Sequence, residues 1–278
     1  MKEIAHIADV VEFRTWAKQQ SYGSDSLKND LKAAIDEEEY TEKVSQDVLG
    51  EIQDRQLMLR DAYPFDFDGD RLQFKGTSRS SYLFCLGLSL LPPELIENEQ
   101  RCEQFETITM KAASQFFGGE SMRIGAPWRS EQTPEYSVLL DRVVALIPDL
   151  GKRFRDEAPD GGDGGWDVLV VKSFADKKFP RFVALGNCAT GRTDWKRKGR
   201  EREPRFFWSF FSHDHRSTLI TFFAVPFIMS EEWRLSKSSE STITFDRSRI
   251  CEHAPDSTDA AAAWLDSTRE AALAVPFN

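Results

Sequence analysis

Apolar residues recur at helical spacing through the first sixty positions. Leu27, Leu31 and Ile35 are four apart, and Val44, Val48 and Ile52 repeat the spacing, so each trio falls on one face of a helix. Ser24 or Asp25 can cap the first helix and Thr41 the second. The turn-rich stretch Tyr63-Pro-Phe-Asp-Phe-Asp-Gly-Asp70 ends this region. Arg71-Leu-Gln-Phe-Lys75 alternates and predicts a short strand. Ser80 to Leu91 is apolar on nearly every side, the pattern of a buried helix. Pro92-Pro93 stops it, and the boundary between two domains is placed there: residues 1–93, mainly helical, and residues 94–278, α/β.

Beyond the boundary, Phe105, Ile108, Ala112 and Phe116 share one face of a long helix over Glu94–Phe117, which Gly118-Gly119 closes. Leu139, Leu140, Val143, Val144 and Ile147 predict another helix over Pro134–Ile147. Gly161-Gly-Asp-Gly-Gly165 forms a turn into a strand, Trp166–Val171. A polar turn around Asp176-Lys-Lys178 leads to a second strand, Phe182–Cys188, predicted to lie beside the first. Phe206–Phe211 reads as core. Leu219–Val225 and Thr242–Phe245 read as further strands, and Ala260–Ala272 as a C-terminal helix. This order predicts an α/β fold, a mixed central sheet flanked by helices, behind a mainly helical N-terminal domain.

Charge adds a second pattern. The chain carries a net charge of −10, which argues against a protein that coats nucleic acid. Between Lys172 and Arg205, however, eleven Lys/Arg face four Asp/Glu, a local balance of +7 that leaves −17 for the remainder. Such an island localises attraction for phosphates. Its nucleic-acid-binding candidates are Lys172, Lys177, Lys178, Arg192, Lys196, Arg197 and Arg200. Residues 1–62 carry −6 and are the candidate surface for docking a protein partner.

Composition narrows the class. With 40% hydrophobic and 29% charged residues the chain is that of a folded, soluble protein. No apolar run reaches the roughly 18–20 residues that span a membrane, and the first residues lack the layout of a signal peptide. The four cysteines are scattered, with no Cys-x-x-Cys pair, so neither a zinc knuckle nor a disulfide framework is expected, and a reducing cytoplasm is. Cys188 reads as a small core residue. His213-Asp-His215 could set two imidazoles on one strand face, but the pair sits in a polar turn. There is no Gly-x-x-x-x-Gly-Lys-Ser/Thr phosphate loop.

The stretch that carries chemistry is Asp163-Gly-Gly-Trp-Asp167, then Leu185-Gly-Asn-Cys-Ala-Thr-Gly191, then Trp195-Lys-Arg-Lys198. It sets an acid at the mouth of one strand, an amide near the end of the next and lysines just after. Divalent-metal cleavage of a phosphodiester needs hard oxygen ligands near the scissile phosphate and a cation that neutralises developing charge. Asp167 supplies an acid. Glu106, with Glu103 one turn earlier on the preceding helix, can supply another. Asn187 would meet Asp167 if the two strands pair. Asp163-Gly is equally a strong turn signal without any catalysis.

In this order — Phe105-Glu106 on a helix, Asp163 to Asp167 opening a strand, then Ala189 to Lys198 — the chain resembles the PD-(D/E)xK, or restriction-endonuclease-like, superfamily. It resembles most the bacterial branches with a divergent second motif. The likeness covers roughly residues 100–198. It implies Glu106 and Asp167 as ligands of Mg²⁺ or Mn²⁺, Asn187 beside them, and an assisting lysine. Asn187 stands where Glu or Gln is expected, and Ala189 where the lysine is. Lys198 or Lys196 could reach back instead. The resemblance implies a metal-dependent deoxyribonuclease of bacterial restriction, repair or antiphage defence. The same departures fit a worn site that binds nucleic acid without cutting. A third reading is an interaction protein whose acidic N-terminal domain docks an ATPase or helicase.

Overall fold

The computed structural model describes residues 4–33, 38–126, 135–155, 165–176, 178–191, 195, 204–213, 218–238 and 242–277. The chain divides into two compact units, one formed by residues up to Ile96 together with those from Pro255, the other by Glu97–Ala254.

The first unit opens with α1 (Ile4–Lys18), followed by β1 (Tyr22–Gly23), α2 (Ser24–Lys32) and α3 (Glu38–Leu59). Leu27 and Leu31 of α2 and Val44, Val48 and Ile52 of α3 are buried, as their spacing predicts. Ile35 lies outside the described residues. Ser24 is the first residue of α2, behind a Gly23 cap with no side-chain bond. Thr41 is no cap either: α3 runs through it, and it is buried. β2 (Phe65–Phe67) and β3 (Arg71–Phe74) follow, and β3 lies between β1 and β2 in an antiparallel three-stranded sheet. Sequence alone predicts just β3, because two- and three-residue strands carry too few alternations to register.

α4 (Ser81–Leu90) is buried at all ten positions, and the Ser80 hydroxyl caps it by accepting from the Leu83 N–H. A buried polar network sits among these helices. The Arg55 guanidinium binds Asp9 at 2.8 Å and Glu12 at 3.0 Å. The hydroxyls of Tyr63 and Tyr82 donate to Glu12 at 2.6 and 2.7 Å. Burial, with Glu12 alongside, pushes the Tyr63 phenol well above its ordinary value. Removing one member of such a network strands the others. Glu12→Ala, which leaves Arg55 buried without its deepest partner, is expected to destabilise this unit by about 3–5 kcal/mol. Urea unfolding of the full chain measures it; a loss below about 1 kcal/mol, the range of an exposed pair, would overturn the assignment.

The second unit starts with α5 (Asn98–Phe117), which ends where Gly118 turns left-handed at φ 66°, a conformation that glycine adopts without steric cost. β4 (Glu120–Arg123), α6 (Tyr136–Leu146), β5 (Val168–Lys172), β6 (Phe182–Cys188), α7 (Pro204–Trp208), β7 (Thr218–Ala224), α8 (Glu231–Ser238), β8 (Thr242–Phe245) and α9 (Arg247–His253) complete it. The five strands pair in chain order. β4, β5 and β6 are antiparallel, while β6, β7 and β8 are parallel. This is the mixed sheet the sequence predicts, with the two key strands adjacent.

Strand alternation feeds two layers. Leu169, Val171, Val183 and Leu185 turn into one cluster with Leu139, Leu140 and Val143 of α6 and with Phe207, Trp208, Phe210 and Phe211. The aromatic run is therefore core, except for the exposed Phe206. The alternate positions meet α5, whose Phe117 ring lies 5.4 Å from Phe182 and 5.7 Å from Phe222.

The chain then returns to the first unit as α10 (Asp259–Ser267) and α11 (Arg269–Leu273). This corrects two expectations. One helix over Ala260–Ala272 is two, broken at Thr268, and residues 255–278 belong with the N-terminal unit rather than with 94–278. The reason is packing: α10 lies against α4, and α11 against α1, so the C-terminal apolar face completes a core that the first 96 residues leave open. Among the described residues, no helix is long and apolar enough to cross a membrane.

Candidate active site

The site lies where α5 crosses the start of β5. Backbone bonds hold Asp167 on both sides. Its N–H donates to the Gly186 carbonyl at 2.9 Å, while its own carbonyl accepts from Ile124 at 2.8 Å and Gly125 at 3.1 Å. Val168 also pairs with Gly186, so Asp167 and Val168 both oppose one residue of β6, as in a bulge, a device that re-aims a side chain. The Asp167 carboxylate accepts from the Cys188 N–H at 2.6 Å, a charge-assisted bond that fixes its orientation.

Glu106 comes from α5 and is 5% exposed. It meets Asp167 at Gly125. A Cβ on Gly125 would lie 2.8 Å from Glu106 Oε2 and 2.9 Å from Asp167 Oδ1, so the two carboxylates flank the same point. Any side chain there would have to displace one carboxylate or both. Gly125→Ala is expected to push the carboxylates apart and to cost roughly 1–3 kcal/mol by overpacking. Melting temperature measures the cost, and unchanged stability would show that the carboxylates yield without strain.

Arg123 completes the arrangement, and sequence reasoning missed it. It is buried at the end of β4, and its Nη1 donates to Glu106 Oε2 at 2.7 Å and to the Gly125 carbonyl at 2.9 Å. Its Nη2 lies 3.7 Å from Glu103 Oε1. A buried Glu106 with the half-buried Asp167 at close quarters needs a cation nearby, and Arg123 is one. β4 reads Glu-Ser-Met-Arg, with no apolar alternation that would have marked Arg123 as buried.

Asn187 is 7% exposed, and its Oδ1 has no hydrogen-bond partner. It stands between Gly186 and Cys188, the two residues of β6 that bond Asp167. Ala189, at the position of the motif lysine, is buried with Trp195, Phe223, Val225 and Met229. A lysine there would have to bury its ammonium in an apolar cluster, which explains why this position does not carry one. Trp195 packs on Trp233 at 4.7 Å and Phe227 at 5.3 Å, so the tryptophan of Trp-x-x-Lys is a core anchor. Asp163, Lys177, Arg192, Lys196, Arg197, Lys198, Arg200 and His215 lie outside the described residues.

Two basic candidates sit elsewhere. Lys172 pairs with Phe182 at the far end of β5 from Asp167; five residues of strand span about 17 Å. Its Nζ lies 2.9 Å from where a Gly118 Cβ would be, at the C-terminus of α5, where the helix dipole favours a cation. Lys178 is in the same far turn, its N–H on the Asp176 carboxylate at 2.9 Å. The structure thus gathers Glu106, Asp167, Arg123 and Asn187 at one end of the sheet and leaves Lys172 and Lys178 at the other.

These observations define a mixed α/β unit with two carboxylates, the buried Glu106 and the half-buried Asp167, meeting at the mouth of its second strand. The solved structure titled MspJI Restriction Endonuclease in Complex with 27-mer Oligonucleotide is similar over 63% of this chain and 32% of that chain, at 11% identity and a TM-score of 0.30. The likeness thus spans about a third of that protein's length. No protein-family model matches the chain, and no curated protein matches it.

Proposed function

We propose that this chain is a metal-dependent DNA endonuclease of a bacterial restriction or antiphage defence system, hydrolysing phosphodiester bonds at the Glu106–Asp167 site. The observation that carries the reading is the meeting of these two carboxylates at Gly125, from a helix and a strand more than fifty residues apart. The donor set fits Mg²⁺ or Mn²⁺: the two carboxylates are hard oxygen ligands, and Asn187, whose amide oxygen has no partner, stands between the two β6 residues that bond Asp167. When bound, such an ion supplies an activated water and neutralises charge at the phosphorus centre. Asp167 holds its ligand oxygens through the Cys188 amide, Arg123 keeps Glu106 in place, and the lysine role falls to Lys198 or Lys196 because Ala189 is sealed in the core.

One observation favours a second reading, a degraded site that binds nucleic acid or a partner without cutting. Glu106 already has a guanidinium at 2.7 Å, so part of the charge a metal would neutralise is neutralised by the protein. Incubating the purified chain with supercoiled and linear DNA in Mg²⁺ or Mn²⁺, and then in EDTA, decides between them. Nicking that EDTA abolishes supports the nuclease. Salt-sensitive binding without turnover supports the second reading. Co-purification of an ATPase or helicase through the acidic N-terminal unit would mark the chain as a subunit.

A further inference from the structure

We propose that Arg123 is a fixed internal cation standing in for a second divalent ion, so that the Glu106–Asp167 site takes one divalent cation and Arg123 sets its affinity. The inference rests on the metal-dependent reading above. It starts from the surroundings of one nitrogen. Arg123 Nη1 has three oxygens around it, Glu106 Oε2 at 2.7 Å and the carbonyls of Gly125 at 2.9 Å and Ala126 at 3.4 Å. That is the oxygen shell a hard cation would seek, filled by a group that cannot deprotonate or dissociate. Arg123 and Glu106 side chains are 5% and 6% exposed, so water screens this charge little.

Paired divalent ions sit about 3.5–4 Å apart and share ligands. A second ion beside Glu106 would have to take oxygens that Nη1 already holds, and it would add charge next to a guanidinium in a desolvated place. Among the described residues, no group of three or more His, Cys, Asp or Glu could hold a metal; the carboxylates meeting at Gly125 are two. Glu106, Asp167 and Glu103, whose carboxylate lies 3.7 Å from Arg123 Nη2, together carry −3; Arg123 brings the group to −2, and one divalent cation neutralises it. A neutral site no longer repels a phosphodiester anion.

The test is Mn²⁺ binding to the full chain without DNA, by calorimetry and by electron paramagnetic resonance, so it requires no turnover. Wild type is expected to bind one Mn²⁺ per chain. Arg123→Met, which removes the charge and keeps the stem, should bind Mn²⁺ about tenfold more tightly or better, because a like charge a few ångströms away has gone. Its melting temperature should fall in EDTA and recover in Mn²⁺. Arg123→Lys, which keeps the charge, should hold near wild-type affinity. A purely structural arginine would lower the melting temperature in EDTA and Mn²⁺ alike and leave Mn²⁺ affinity unchanged or weaker, which overturns the proposal. Two Mn²⁺ per wild-type chain also overturns it. If Arg123→Met does not fold, the wild-type stoichiometry and Arg123→Lys decide. One Mn²⁺ in wild type with unchanged affinity in Arg123→Met removes the role of Arg123 alone. No Mn²⁺ in wild type removes the metal-dependent reading with it.

Discussion

Asp167→Ala is expected to lower DNA cleavage by more than about a thousandfold, the loss that follows when a group fixing the reacting charge is removed. The fold should survive. Asp167 is held in the sheet by its backbone N–H and carbonyl, and alanine keeps both. What goes is the carboxylate at Gly125 and its bond from Cys188. Leaving that N–H unmet costs roughly 1–3 kcal/mol, visible in melting temperature but small against a folded unit. Asp167→Asn separates the two effects, since its amide oxygen can still accept from Cys188 while its charge is gone; it should regain stability and stay inactive. Asn187→Ala should do less, because a neutral amide adds little to Mg²⁺ affinity. Nicking of supercoiled DNA in Mg²⁺ measures all three. Equal rates for wild type and Asp167→Ala would place the activity elsewhere.

In the second unit β5, β6, β7 and β8 were legible in the chain because they are short, mostly apolar or β-branched and bounded by turns. Phe182–Cys188 and Thr242–Phe245 appear with the bounds their composition predicts, while the polar β4, Glu-Ser-Met-Arg, was not read as a strand. In the first unit the apolar run gave Ser81–Leu90, buried at every position. Asp167 and Glu106 were legible as an acid at a strand mouth and an acid on the preceding helix. The partner that binds Glu106 was not. Arg123 matters because β4 runs antiparallel to β5 and ends under α5; that is a tertiary fact with no local period to report it. The same holds for Arg55, Glu12 and Tyr82, far apart in sequence and joined in one network. Residues 255–278 show the limit differently. Their helical pattern was read correctly in kind, but an amphipathic helix does not say which core its apolar face completes, and α10 and α11 complete the first.

The basic stretch should set DNA affinity as a whole, beside the catalytic part proposed for Lys198 or Lys196. Lys196, Arg197, Lys198 and Arg200 are four positive charges in five residues, following the strand that ends at Cys188 beside Asp167. Each phosphate contact releases condensed counterions and steepens the salt dependence of binding to duplex DNA by about 0.9 in the logarithmic slope. Replacing all four with alanine is therefore expected to flatten that slope by roughly 3 to 4 units. Between 50 and 200 mM salt, wild type would then lose about a hundredfold more affinity than the variant does. Lys198→Ala alone should lower the slope by about one unit, and if this lysine acts on the transition state its turnover should fall more than its binding. Fluorescence anisotropy of a labelled duplex in EDTA, across a salt series, isolates binding from cleavage. An unchanged slope in the fourfold variant would mean that phosphates are met elsewhere, and a slope change with unchanged turnover in Lys198→Ala would move the lysine role to Lys196.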